Sequence, residues 1–217
     1  MALVTAVSVP TLNGVWATRD DTHAEDMDAG LEAVSASAVP HCLEVRPSCA
    51  AAATKVAERR GLVAAPDIPL MAVAGAVGGP RPDGLVVREL MPQEARLHCQ
   101  VAAPAFGAPT DLLAGLITPG LLTLPAVRGY IGVVAGEPVV TAMSVTLGEG
   151  VGIFNVATPP AYRRRGFGSA VTARAVADGL AGGASWSWLQ STEAGYGVYE
   201  ALGFTTLERW PCWVTAG

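Results

Sequence analysis

The sequence has little charge and few aromatic residues. Charged residues make up 15% and aromatic residues 6% of the 217 residues, against 51% hydrophobic residues. This composition excludes a disordered chain, which is too polar to offset the entropy of folding. The net charge is −5, and the only basic run is Arg163, Arg164 and Arg165, so we expect no nucleic-acid partner.

Paired cysteines and long apolar runs are also missing. The four cysteines occur without a C-x-x-C pair, which predicts free buried thiols and no metal site. The most apolar stretch, residues 112–127, is interrupted by proline and glycine, so we expect no contact with a membrane. Residues 1–10 contain no basic segment of a secretory signal, and the expected location is cytoplasmic.

Glycine and proline, in contrast, are abundant and are concentrated in residues 75–84. Such a run cannot continue a helix or a central strand. It predicts an N-terminal region over residues 1–78, a linker over 79–84 and a second domain over 85–217. Residues 42–62 and 188–204 share one order of strand, helix, glycine and apolar residue. The first half is therefore interpreted as a degenerate copy of part of the second.

Strands and helices are predicted throughout both halves from hydrophobic periodicity and from turn residues. The predicted strands are 3–9, 14–18, 42–45, 69–73, 85–90, 130–135, 138–147, 151–158, 186–191 and 204–214. The predicted helices are 21–35, 50–60, 92–105, 111–117, 168–178 and 194–202.

One segment carries a recognisable pattern for binding phosphate. The predicted strand 151–158 leads through a Pro-Pro pair into Arg163-x-x-Gly166-x-Gly168, which opens a helix. The first N–H groups of a helix have no intrahelical partners, and together with the helix dipole they bind anions. Glycines let a diphosphate approach the backbone, and arginines match its charge. The pattern is neither a P-loop nor a dinucleotide-binding fingerprint, because it lacks the Lys-Ser/Thr pair and the third glycine that these require.

The Arg-x-x-Gly-x-Gly pattern, with the residues before it, resembles motif A of the GCN5-related N-acetyltransferase (GNAT) superfamily. Residues 189–204 resemble motif B of that superfamily, in the same order along the chain. The resemblance covers residues 85–214. It implies an α/β (α+β) fold with a mixed, mostly antiparallel central sheet flanked by helices, preceded here by a degenerate GNAT-like N-terminal half.

The same resemblance implies an enzyme and its cofactor. The enzyme would be an N-acetyltransferase that moves an acetyl group from acetyl-CoA to a primary amine by direct attack in a ternary complex. The strand backbone would hold the pantetheine arm, and the loop would hold the pyrophosphate. The residues assigned to the cofactor are Val156, Ala157, Thr158, Arg163, Arg164, Arg165, Gly166, Phe167, Gly168 and Ser169. Thr192 stands at a further cofactor-contacting position, although its hydroxyl could equally cap the next helix.

Catalytic groups follow from the same comparison. Tyr199 matches the family's usual tyrosine, whose phenol acts as general acid for the leaving thiolate; its other interpretation is a packing residue of an amphipathic helix. Relatives often place a glutamate on the strand before the loop, and this strand contains no acid. We therefore assign Glu149, just before the strand, as the general base, with His98 as a second candidate.

The acceptor is predicted to be an amine of a small molecule or peptide, since residues 93–119, which contact substrate in this family, are apolar here. No cysteine lies in either motif to form a covalent acyl intermediate. A homodimer is left open. The missing base and the degenerate half also leave open a non-catalytic acyl-CoA-binding or regulatory domain.

Overall fold

The computed structural model describes residues 1–5, 9–115 and 117–216. Its strands are β1 (Ala2–Leu3), β2 (Gly14–Ala17), β3 (Cys42–Val45), β4 (Leu62–Ala74), β5 (Leu85–Glu89), β6 (Val127–Val134), β7 (Glu137–Leu147), β8 (Gly150–Ala157), β9 (Trp186–Gln190) and β10 (Thr205–Thr215). Its helices are α1 (Ala24–Ser35), α2 (Ala50–Arg60), α3 (Ala95–Phe106), α4 (Thr110–Leu113), α5 (Phe167–Ala181) and α6 (Glu193–Ala201). Across these described ranges, no helix combines the length and apolarity needed to cross a membrane.

Most predicted elements occur within a few residues of their predicted bounds, and three differ. β4 is longer than the predicted strand 69–73, since it begins directly after the left-handed Gly61 that ends α2. α4 is shorter than the predicted helix 111–117, part of which lies outside the described residues. The predicted strand 3–9 is reduced to β1, and residues 6–8 of it also lie outside the described part.

The chain forms two compact units, residues 1–70 with 206–217 and residues 71–205. This division differs from the predicted one at 79–84, because β4 up to residue 70 and β10 from residue 206 onward belong to the first unit. That the first half is a degenerate copy stays a prediction.

In the first unit, β2 and β3 are parallel, while β1 and β10 pair antiparallel with β2 and β3 respectively. α1 and α2 bury their apolar residues against β2 and β3, with Met27, Leu31 and Val56 fully buried.

All four cysteines of the chain are free and buried.

In the second unit, five strands lie in the order β9-β8-β7-β6-β5. Three of their pairings are antiparallel, and β8 with β9 is parallel, so this sheet is mixed and mostly antiparallel as predicted. α5 packs with Val151 and Ile153 of β8 in the main core cluster, while α3 packs in another cluster with Met143 and Ala157. The sheet is flanked by helices, and this part of the fold prediction is confirmed.

Period-two alternation puts Trp186 and Trp188 on one face of β9, which favours the core over a substrate cage for both. This prediction is wrong, because Trp186 is exposed and Trp188 is only half-buried. Trp186 is 40% exposed, whereas Ser187 and Leu189, on the other face of the strand, are buried. A Cβ on the paired Gly150 would lie 2.8 Å from the Trp186 ring, so the indole lies over the glycine of the neighbouring strand. Period-two alternation predicts correctly that Trp186 and Trp188 share a face of β9, but it does not predict which face of the strand is buried.

Candidate active site

The centre of the site is the point where β8 and β9 stop pairing. Their parallel register includes Gly150, Val151 and Gly152 of β8 and ends at Gly152 with Trp188. β8 continues to Ala157, and over the described residues no further pairing with β9 follows. Burial changes at the same place, since Phe154 is exposed after four buried residues. The far half of β8 therefore presents one backbone edge that the sheet does not satisfy.

A β-bulge lies in this free half of β8. Met143 of β7 pairs with Phe154 and Thr141 pairs with Ala157, so β8 contains one more residue than its partner between these pairs. Asn155 takes up the difference with a left-handed φ of 50°, which asparagine tolerates better than most residues. Its side-chain amide lies 3.9 Å from the Met143 sulfur. The bulge turns the strand where it leaves β9.

The loop after β8 is short and has an unusual backbone. A single 3-10 turn, Pro160–Tyr162, leads to Arg164 with φ 65° and to Gly166 with φ 78°. Gly166 is the N-cap of α5 and has no side chain with which to cap it. The left-handed value at Arg164 is strained for an arginine, and such strain is concentrated at functional sites.

The first turn of α5 provides free hydrogen-bond donors. The amide of Ala170 bonds to the Gly166 carbonyl, which leaves the amides of Phe167, Gly168 and Ser169 without an intrahelical acceptor. No acidic side chain lies in this turn to compete for them. A Cβ on Gly168 would meet only the Thr158 hydroxyl oxygen, at 3.8 Å. The fold itself therefore does not need glycine at 168, and the space there can admit a ligand atom.

The three loop arginines have different environments. The Arg163 guanidinium donates to the carbonyl of Thr158 at 3.2 Å and to that of Ala105, at the end of α3, at 3.0 Å. Arg165 lies over the Tyr162 ring, 5.8 Å from its centroid. For the Arg164 guanidinium, the described part of the chain offers no hydrogen bond or ion pair. Arg163 thus ties the loop to α3, and Arg164 is the cation that remains available to an anion.

Tyr162 and Glu137 form a part of the loop that the sequence did not suggest. Glu137 begins β7, and as a hydrogen-bond acceptor beside the Tyr162 hydroxyl it raises the pKa of that phenol. The Tyr162 ring in turn contacts the Arg165 guanidinium through the cation–π interaction. The contact between Glu137 and Tyr162 could not be predicted from the sequence, because the two residues are far apart along the chain. Only the antiparallel register of β7 and β8 indicates that they are neighbours.

Thr192 caps a helix. Its side-chain oxygen accepts the Gly195 amide at 3.2 Å and so forms the N-cap of α6. The sequence predicts that Thr192 either contacts the cofactor or caps the following helix, and the structure shows the helix cap. A cofactor contact through the remaining hydroxyl hydrogen stays a prediction.

Tyr199 lies in the last turn of α6 and is half-buried. Its ring packs edge-on against Phe204, with centroids 6.0 Å apart, and it belongs to the same core cluster as Val156. A Cβ on Gly195 would lie 3.2 Å from the ring, so the glycine gives the ring its place on the helix. Burial raises the pKa of Tyr199 to about 12. The phenol therefore holds its proton at neutral pH.

Of the two candidate bases, Glu149 is far from the loop and His98 is buried. Glu149 is exposed at the start of β8, and its carbonyl accepts the Ser185 amide. At about 3.3 Å per residue, β8 separates it from Thr158 by more than 20 Å. His98 is 1% exposed in α3, its Nδ1 lies 2.6 Å from the Thr141 hydroxyl, and burial lowers its pKa to about 4. The structure therefore keeps Glu149 away from the loop, and it holds His98 buried and uncharged at neutral pH beside Thr141, whose partner in β8 is Ala157.

Comparison with known proteins connects this arrangement to a fold. No family model matches the chain, and no curated protein matches it. Among solved structures, a GCN5-related N-acetyltransferase from Kribbella flavida matches with a TM-score of 0.67 and 21% identity, over 94% of this chain and 79% of that one. The chain has the GNAT fold.

Two further structures support this assignment. A GCN5-related N-acetyltransferase from Sphaerobacter thermophilus matches with a TM-score of 0.66 and 18% identity, over 88% of this chain, which spans 65% of that protein. A putative GNAT-family acetyltransferase from Novosphingobium aromaticivorans matches with a TM-score of 0.55 and 19% identity, over 86% of this chain and 80% of that one. In this GNAT fold, the split of β8 from β9 and the loop into α5 lie in the segment that resembles motif A.

Proposed function

We propose that this protein is an acetyl-CoA-dependent N-acetyltransferase that acts on a primary amine of a small molecule or peptide. One observation carries the proposal. The unpaired edge of β8 is followed by a short loop and by uncapped amides at the start of α5, so backbone hydrogen bonds and then an anion site follow one another along the chain. An acyl-CoA has the matching order of groups, an amide-containing arm followed by a diphosphate.

The residues present fit such a cofactor. Val156 and Ala157 lie on the free strand edge, Thr158 follows them, and the space at Gly168 lets a phosphate approach the first turn of α5. Arg164 and Arg165 supply positive charge at the rim, where guanidinium groups match phosphate oxygens. When bound, acetyl-CoA supplies the acetyl group as an activated thioester.

Tyr199 is proposed as the general acid. Its phenol carries a proton at neutral pH, as tyrosine ordinarily does, burial raises its pKa further to about 12, and the ring packs edge-on against Phe204. A buried phenol next to the free part of β8 can donate that proton to a departing group. Backbone N–H groups on the same edge can stabilise negative charge on an oxygen.

The acceptor is proposed to be a hydrophobic amine. Arg163 binds the Ala105 carbonyl and so places the end of α3 beside the loop, and the next residue, Phe106, is 51% exposed. An apolar side chain at the edge of a polar site favours an acceptor with an apolar group. With no acid in β8, we propose that the amine arrives neutral or loses its proton to water. The free thiols support a reducing compartment such as the cytoplasm.

The experiment is an amine-panel assay. The protein is incubated with acetyl-CoA and single amines, aliphatic, aromatic and peptidic, and the released CoA thiol and the acetylated product are both measured. The proposal expects turnover with at least one hydrophobic amine. Hydrolysis of acetyl-CoA without any acetylated amine would contradict it.

A second candidate is an acyl-CoA-binding domain without transferase activity. The position of Glu149, at the end of β8 away from the loop, favours this candidate, since no acid of β8 can act as base. It predicts saturable binding of acetyl-CoA with no acetylated product across the whole panel. The same assay, paired with a binding measurement, therefore separates the two.

A further inference from the structure

The glycine- and proline-rich segment between β4 and β5 is not a free linker. Its start is held by the Gly75 amide, which donates to the Ser185 carbonyl at 3.1 Å. Val77 is half-buried against the main core cluster of the second unit. Its end is held by a turn in which the Leu85 amide donates to the Pro82 carbonyl at 3.2 Å. We call residues 77–82 the strap.

The strap crosses α5 at very short range. A Cβ on Gly79 would lie 2.8 Å from the Ala173 Cβ and 3.4 Å from the Ser169 carbonyl oxygen. Real Cβ atoms do not approach other atoms this closely, so only glycine permits the strap to lie on the helix at this position. Gly78, one residue earlier, has nothing within 4 Å of the same built atom.

Beyond this crossing, the strap meets the phosphate loop. Ring carbons of Pro80 lie 3.0 and 3.4 Å from a Cβ built on Gly166, and a ring carbon of Pro82 lies 3.5 Å from it. Gly166 is the left-handed N-cap on which the direction of the first α5 amides depends. Both prolines have fixed φ, and Arg81 before Pro82 is restricted to extended conformations. The strap is therefore a stiff support against the left-handed glycine of the loop.

We propose that Gly79, Pro80 and Pro82 are positioning residues for cofactor binding, which hold the Gly166 turn in the conformation that presents the α5 amides to phosphate. The inference rests on the proposed function for the identity of the ligand. The strap acts through the loop and contacts no reacting atom. Because coupling between two sites is reciprocal, bound CoA also holds the strap on α5.

The test uses adjacent glycines as a matched pair. Gly79→Ala forces the strap away from Ala173, Gly78→Ala adds the same methyl group into open space, and the double variant Gly79→Ala with Ala173→Gly removes the clash. CoA affinity is measured by calorimetry, and hydrogen exchange of residues 77–84 and 164–169 is followed with and without CoA. Ala173→Gly alone controls for the effect of glycine in the helix.

We expect Gly79→Ala to weaken CoA binding by about tenfold and to speed exchange at residues 164–169 in the free protein. Gly78→Ala should match the wild type, the double variant should recover to the level of Ala173→Gly, and CoA should slow exchange in the strap. If acetylation is detected, KM for acetyl-CoA should rise with little change in kcat. Equal loop exchange and equal affinity in the Gly78 and Gly79 variants would overturn the inference.

Failure of the inference and failure of the proposed function give different results. If the wild type does not bind CoA, the proposed function is wrong, and loop exchange in the free Gly79 variant still decides whether the strap supports the loop. If the wild type binds CoA and Gly79→Ala binds it equally well, the cofactor site stands and the strap has no part in it.

Discussion

The hydroxyl oxygen of Thr158 lies 3.8 Å from the position that a Cβ would take on Gly168. Nothing else in the described protein fills that space, and Gly168 does not have a left-handed φ. The glycine is thus unnecessary for the fold at the point where the strand ends and the helix amides begin. Under the proposed function, its absent side chain leaves room for a ligand that approaches the backbone there.

Gly168→Ala should therefore keep the stability of the protein and lose cofactor affinity. We expect the dissociation constant for CoA to rise by at least about tenfold, because the new methyl group occupies the space beside Thr158. The free energy of unfolding should stay the same or increase slightly, since alanine favours helix. Calorimetric titration and urea unfolding measure the two quantities.

Gly197→Ala is the control for Gly168→Ala, because Gly197 also lies in a helix and has nothing within 4 Å of a built Cβ. It should leave CoA affinity unchanged. An unaltered affinity in the Gly168 variant as well would show that no ligand occupies this space.

Tyr199→Phe should remove the general acid and keep the packing. We expect kcat for acetyl transfer to fall by roughly 10²- to 10⁴-fold, with CoA affinity unchanged, since the ring contact with Phe204 remains. Tyr196→Phe, which removes a hydroxyl one turn earlier on α6, is the matched control and should change kcat only slightly. Wild-type turnover in the Tyr199 variant with every amine accepted would contradict the assignment.

Alanine variants of Arg163 and Arg164 should show that Arg163 has a structural role and that Arg164 binds the cofactor. Arg163→Ala removes the bonds to the Ala105 and Thr158 carbonyls and should lower the free energy of unfolding by about 1 kcal/mol. Arg164→Ala should leave that free energy within about 0.5 kcal/mol while weakening CoA binding and its dependence on salt. Thermal unfolding and titrations at two salt concentrations test both; the reverse pattern would show that the two roles are exchanged.

His98 should make the protein less stable in acid. Its pKa in the fold is about 4, below the ordinary value of 6.5, because burial disfavours the charged ring. Between these values the unfolded chain binds more protons than the folded one, so stability is complete above pH 6.5 and falls as pH decreases toward 4. The shift corresponds to about 3 kcal/mol.

The test compares unfolding free energies at pH 7 and pH 4.5 for the wild type and for His98→Gln, which keeps a donor for Thr141. The difference between the two pH values should shrink in the variant. An identical pH dependence in both proteins would mean that His98 is not the group that titrates.

Much of the site follows from local sequence, since both ends of β8 and the start of α5 lie within one residue of their predicted bounds. The residues that begin and end these elements act over a few neighbouring positions, so the bounds can be predicted from the sequence alone. The partners of Arg163 and the contact of Glu137 with Tyr162 could not be predicted, because they depend on which strands and helices become neighbours. The choice of Glu149 as base failed to allow for the length of β8, which separates it from the loop.

The burial of β9 shows the same limit. Alternation places Trp186 and Trp188 on one face, but their exposure depends on Gly150 and Gly152 of the adjacent strand, over which the indoles lie. Glycine in a strand indicates that another group approaches the backbone closely, but the sequence does not identify that group. Strap contacts are hidden in the same way, since a run of glycine and proline indicates a loop and not the surface on which it rests.

The most direct measurement of the central claim is a calorimetric titration of acetyl-CoA into the wild-type protein, with Gly168→Ala titrated in parallel. The account predicts saturable binding of one acetyl-CoA per chain to the wild type, and binding at least about tenfold weaker to the variant. An absence of binding to the wild type at millimolar acetyl-CoA would contradict the account.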